Sequence, residues 1–249
     1  MSQSEAGKPE PVVVKPMGRL ASREALVVWA IAFGAIAVTR AIPPISDYAK
    51  AVAAVAFLYL PGSIVWRRNE DYRDYGATFE RWPRDFAWGL GISAIVLPIF
   101  VLGFFGFVQL LKDVPQALAG VLAPYPKDAA FHLRFPDRFA AHLVDQFLVV
   151  ALPEELFYRG FMQARLRDAW PGGRTVFGAR LGRAFWVTQL LFAIGHLAEP
   201  HPWRLGVFFP ALIFGWLRER TGTIVPGTIF HALSNLTVLV LEASFFGPR

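Results

Sequence analysis

The chain has 249 residues, of which 55% are hydrophobic and only 18% charged, with a mean hydropathy of +0.40. Soluble domains carry about 25% charged residues, so the composition points away from an ordinary soluble domain. The net charge of +6 comes from short basic clusters between apolar runs, which suits anionic lipid headgroups better than nucleic acid, and the lack of cysteine excludes disulfides, a thiol nucleophile and cysteine-based metal sites.

Residues 1–21 are polar and basic and read as a flexible cytoplasmic tail; 22–249 read as one integral-membrane domain with its core at about 140–240. The first apolar run, Ala25–Val38, is followed by Thr39-Arg40-Ala41, poor chemistry for signal cleavage, and reads as a retained span. Seven spans are expected, at 24–39, 48–66, 85–110, 140–164, 184–199, 204–218 and 223–246, which makes the fold an all-α polytopic transmembrane bundle. The loops 67–84 and 112–138 are aromatic and charged or proline-rich, and Gly172-Gly173 reads as a turn rather than a phosphate loop. With alternating sides and a cytoplasmic N-terminus, 17 of the 25 Lys and Arg residues fall inside and 8 outside, which favours that orientation and an inner-membrane location. Trp66, Trp82, Trp88, Trp170, Trp186 and Trp203 near span ends fit an aromatic belt.

Ionisable side chains inside spans are costly, and they mark functional sites. Glu154 and Glu155 lie in the fourth span, His196 in the fifth, and His231 with Asn235 in the seventh. Glu155 and Arg159 are four apart and share a helical face, as do His231 and Asn235. Counting at 1.5 Å per residue from Arg165, Arg183 and Arg220 puts Glu154, His196 and His231 roughly 16–20 Å from the same end of their helices. Pro153 removes a backbone bond beside the acids and can open a wet cavity there, or simply kink the helix.

A glutamate with a neutral histidine can hold a water and accept its proton. A second histidine and a carboxamide can donate to a developing oxyanion. This is sufficient equipment for peptide hydrolysis without a covalent intermediate or a bound cofactor.

Three ordered motifs carry a family resemblance: Glu154-Glu155-Leu156-Phe157-Tyr158-Arg159, Phe192-Ala193-Ile194-Gly195-His196 and His231-Ala232-Leu233-Ser234-Asn235. The chain resembles the CAAX-protease and bacteriocin-processing (CPBP, or Abi) family, which includes the type II CAAX prenyl endopeptidases. The tract Phe208–Arg218 is similar to that of a bacterial myxosortase-like subgroup associated with C-terminal sorting tails. The resemblance implies a glutamate-dependent intramembrane endopeptidase acting on a protein or lipidated-protein tail in membrane lipid. It implies that Glu154, with His196, activates water, that His231 and Asn235 form the oxyanion site, and that Glu155 and Arg159 support the first acid.

Other readings stay open at this point. Glu154, His196 and His231 could supply a His₂Glu zinc set, although His-Glu-x-x-His is missing. Gly91-Ile92-Ser93-Ala94 has the form of a serine-protease motif, but small residues in membrane helices usually serve packing. A non-enzymatic immunity protein, or a transporter moving protons through the Glu–His cluster, would use the same residues.

Overall fold

The computed structural model describes residues 17–115, 118 and 129–247. Within them, each of the seven predicted segments is helical: α1 (Met17–Ala41), α2 (Ala49–Arg67), α3 (Trp82–Asp113), a continuous α4 over 139–169, α5 (Arg183–Gly195), α6 (Phe208–Thr221) and α7 (Val225–Phe246). Most of the predicted 1–21 tail and residues 116, 117 and 119–128 of the 112–138 loop lie outside the described residues.

Proline and glycine set several boundaries. Pro83 and Pro226 occupy the first turns of α3 and α7, where a missing N–H costs nothing. Gly222, at φ +83°, ends α6 in the left-handed conformation. Among the described residues four segments are long and apolar enough to cross a membrane: Gly18–Ala41, Pro43–Arg67, Trp82–Asp113 and Val225–Phe246. Their exposed residues between the ends are mostly apolar; Leu90, Ile95, Ile99 and Leu102 on α3 are all exposed, as lipid-facing side chains would be. The protein is an all-α helical bundle of membrane type.

α4 is the centre of the bundle. Residues 155–166 are buried without a break. Its Phe157, Phe161 and Leu166 pack with Val28 of α1, Phe57 of α2 and Phe214 of α6 in one apolar cluster. α1 offers α4 a narrow stripe of small residues, Ala21, Ala25, Val28 and Ala32, at helical spacing. Close approach of this kind is how membrane helices gain van der Waals contact when lipid is as apolar as the core. Gly89 does the same for α3 against α7, since a Cβ there would meet Ile229 at 2.9 Å.

α4 is not a regular helix. π-helical turns at Asp145–Ala151 and Leu156–Met162 flank a single α turn, Leu152–Glu155, that contains Pro153 and both acids. Each π turn carries an extra residue and so rotates the next stretch of helix about its axis, and such turns often sit at functional sites.

Two polar clusters fasten one end of the bundle. Glu24 of α1 accepts from Arg68 after α2 (2.5 Å) and from Arg165 of α4 (2.7 Å), while the Tyr75 hydroxyl donates to Glu70 in the α2–α3 loop. Asp85, fully buried, accepts from Arg84 (2.8 Å) and from the Thr223 hydroxyl (2.8 Å), tying the start of α3 to the α6–α7 turn.

One element was not expected from the sequence. Strands β1 (Arg174–Val176) and β2 (Ala179–Leu181) form an antiparallel hairpin between α4 and α5, with Arg174 opposite Leu181. The two-residue turn, Phe177-Gly178, has φ of +48° and +78°, both in the left-handed region that such a turn requires.

Candidate active site

The single α turn of α4 presents Glu154 and Glu155 in different directions. Glu155 points into the bundle and is completely buried. Its Oε1 accepts from Arg159 Nη1 at 2.8 Å, one helical turn along, and from His231 Nδ1 of α7 at 3.0 Å. Glu154 retains 17% side-chain exposure, and its Oε2 stands 3.8 Å from His231 Nε2, close enough for attraction but beyond a hydrogen bond. One imidazole therefore lies between two adjacent carboxylates.

Arg159 is the keystone of the buried side. A fully buried guanidinium is costly unless paired and bonded. Beyond Glu155, Nη2 donates to Gln189 Oε1 of α5 at 2.9 Å, and Gln189 in turn donates to Gln163 Oε1 at 3.0 Å. The guanidinium carbon lies 4.2 Å from the Phe192 ring centroid and 4.9 Å from that of Phe214, a desolvated cation–π arrangement. Phe214 also stacks on His231, at 4.5 Å and 14°. The same two rings thus confine both the arginine and the imidazole.

His196 follows directly on the end of α5, in a short 3₁₀ turn. Its Nδ1 is 2.9 Å from the Phe192 carbonyl. A carbonyl only accepts, so Nδ1 carries the hydrogen and Nε2 of the neutral ring keeps its lone pair. Phe192 touches both imidazoles, with centroids 4.6 Å from His196 and 6.0 Å from His231. Asn235, one turn beyond His231, donates an amide hydrogen to Gln146 Oε1 of α4 at 2.9 Å and retains a second.

The structure thus brings Glu154, Glu155, Arg159 and His231 into one cluster. His196 joins it through Phe192, and Asn235 is tied to α4 through Gln146. Sequence reasoning missed Gln146, Gln163 and Gln189, and the signal was present, since each is an amide within an apolar run. It also missed Gly227, where a Cβ would approach Glu155 Oε2 to 2.8 Å. Among the described residues no group of three His, Asp or Glu side chains is arranged to hold a metal ion. A surface groove of about 390 Å³ lies elsewhere, between α2 and Tyr72, lined by Leu58, Gly62 and Trp66 among others.

A helical membrane-type bundle with paired acids, a guanidinium and two imidazoles gathered at its centre belongs to the class of polytopic membrane proteins with a polar site inside the bundle. The family model described as type II CAAX prenyl endopeptidase Rce1-like matches residues 136–237, the stretch that holds all of these side chains, and over that stretch the chain is similar to that family. Neither the curated proteins nor the solved structures contain a match to the chain.

Proposed function

We propose that the protein is an intramembrane endopeptidase that hydrolyses a peptide bond near the C-terminal or membrane-proximal tail of a protein substrate. The observation that carries this is the convergence of Glu154 and Glu155 on His231, with Arg159 neutralising only the inner acid. Glu155 is fully buried and bonded through Oε1 to Arg159 and His231, which leaves Glu154, the partly exposed member, as the acid that can meet a substrate.

In this reading a water is held by Glu154 and by Nε2 of His196. Glu154 takes a proton as the water oxygen adds to the scissile carbonyl carbon. The carbonyl oxygen becomes negative and receives hydrogen bonds from Asn235 and His231. Glu154 then returns the proton to the amide nitrogen as the C–N bond breaks. Donation from His231 Nε2 needs the second ring proton, because Nδ1–H is already given to Glu155. Arg159 and Glu155 set the orientation of that ring and do not touch the substrate.

The family's description as prenyl endopeptidases makes a lipidated tail the first substrate to try. The distribution of Lys and Arg further supports a cytoplasmic N-terminus in a bacterial inner membrane. The deciding experiment compares the C-terminal peptides of membrane proteins in cells carrying wild type or Glu154→Gln. A tail removed only by the wild type identifies both substrate and bond. Full biological function in Glu154→Gln sinks the hydrolytic reading.

A further inference from the structure

The β1–β2 hairpin has no place in the hydrolytic chemistry, yet its turn is built against local preference. Two-residue turns of this type favour Asn or Gly at the first central position, because both central residues need positive φ. Here Phe177 occupies it at φ +48° and is 87% exposed, with no ring partner among the described residues. A large apolar side chain at a strained, solvent-facing position gains nothing from the fold.

Its surroundings indicate what covers it. Arg174 and Arg180 on the hairpin, Arg183 at the start of α5 and Arg220 at the end of α6 are all exposed, and none forms an ion pair among the described residues. The hairpin is also ringed by tryptophan. Trp216 Nε1 donates to the Val176 carbonyl at 3.1 Å and packs edge-on against Trp88, while Arg183 lies over Trp170 at 4.2 Å and Arg220 over Trp88 at 5.2 Å. Tryptophans at the ends of spanning helices mark the headgroup level. The hairpin therefore has the composition of a headgroup-level segment, with tryptophan rings beside basic side chains.

We infer that this hairpin is an interfacial anchor that lowers Phe177 into the adjoining leaflet while its arginines bind the headgroups of anionic phospholipids. An aromatic wedge flanked by unpaired arginines is complementary to such a surface in both shape and charge. The hairpin joins α4, which carries Glu154, to α5, which leads to His196, so its seating fixes the height of both helices in the bilayer. The inference does not depend on the hydrolytic reading.

The cysteine-free chain makes the test direct. Phe177→Cys in the full-length protein, carrying a nitroxide, is reconstituted as single copies in nanodiscs of phosphatidylcholine with or without phosphatidylglycerol. Arg73→Cys, exposed in the α2–α3 loop at the same end, serves as the aqueous reference. The label at 177 should be severalfold less accessible to a water-soluble relaxation reagent than the label at 73. The difference should widen with phosphatidylglycerol, and Arg174→Gln with Arg180→Gln should abolish that widening. Equal accessibility at the two positions overturns the anchor. So does shelter that is indifferent to lipid charge, or that arises only in discs holding two copies, which would make the hairpin a contact between copies instead.

Discussion

Gly227 of α7 stands directly against Glu155 of α4: a Cβ added there would lie 2.8 Å from Oε2 and 3.5 Å from the carboxyl carbon. The carboxylate has nowhere to retreat, because its other oxygen is held by Arg159 and His231. Gly227→Ala should therefore tilt Glu155 and, through it, the His231 ring. Overpacking of this size costs about 1–3 kcal/mol. A displacement of catalytic groups by about 1 Å can cost about 100-fold in rate. Thermal unfolding in detergent together with a tail-cleavage assay checks both effects, and wild-type activity in this variant would show that the ring does not need its present tilt.

The two neighbouring acids should separate cleanly when each is changed to glutamine. Glu155→Gln leaves Arg159 buried without its counter-charge, a loss of about 3–5 kcal/mol. Glu154 makes no hydrogen bond through Oε2 and is partly exposed, so Glu154→Gln should cost less than about 1 kcal/mol. Both should eliminate cleavage. The comparison is a pair of denaturation curves beside a pair of activity measurements, and equal destabilisation would make Glu154 as structural as its neighbour.

The bundle was legible in the sequence because long apolar runs leave few alternatives, and the acid–arginine and histidine–asparagine spacings announce shared helical faces without any coordinates. The π turns either side of Pro153 were not legible, since an extra residue within a helix that is apolar on most of its faces leaves no mark on its hydrophobic pattern. The hairpin escaped notice for a different reason. Gly172-Gly173 was readable as a turn, but the strands after it have three residues each, and Phe177-Gly178 lacks the usual Asn-Gly signal. Gly227 could not have been assigned a role from sequence, because what it accommodates comes from another helix. The apolar run 184–199 predicts a helix through His196, but the residue lies just past the helix end, where the 3₁₀ turn begins.

Gln146 offers a test of the oxyanion assignment. It accepts a hydrogen bond from Asn235 at 2.9 Å and is itself buried, so it holds the carboxamide in one orientation. Gln146→Leu removes that acceptor and should free the Asn235 side chain to rotate. If Asn235 donates to a developing oxyanion, the loss falls on kcat, by about 10-fold to 100-fold, with KM nearly unchanged. Gln146→Glu, which preserves an acceptor, should recover part of the rate. A change confined to KM would instead place Asn235 and Gln146 in ground-state substrate binding.

Tyr75 gives a prediction about pH that lies outside the membrane helices. Burial is the main cause that raises its phenol above the ordinary value near 10, and the hydrogen bond to Glu70 adds to it. A raised acid keeps its proton longer in the folded state than in the unfolded one. The stability it contributes is thus present below pH about 10 and is lost as the pH climbs from there toward the folded value. Arg165, which also reaches Glu70, opposes the shift without reversing it. Tyr75→Phe removes this linkage, so its unfolding midpoint should fall less steeply than that of the wild type between about pH 9 and about pH 11. Tyr72, which is also raised by burial, is common to both proteins and cancels in the comparison. Parallel curves would mean that the loop opens before the phenol ionises, and that the tie from Glu24 through Arg165 to Glu70 does not hold this end of the bundle closed.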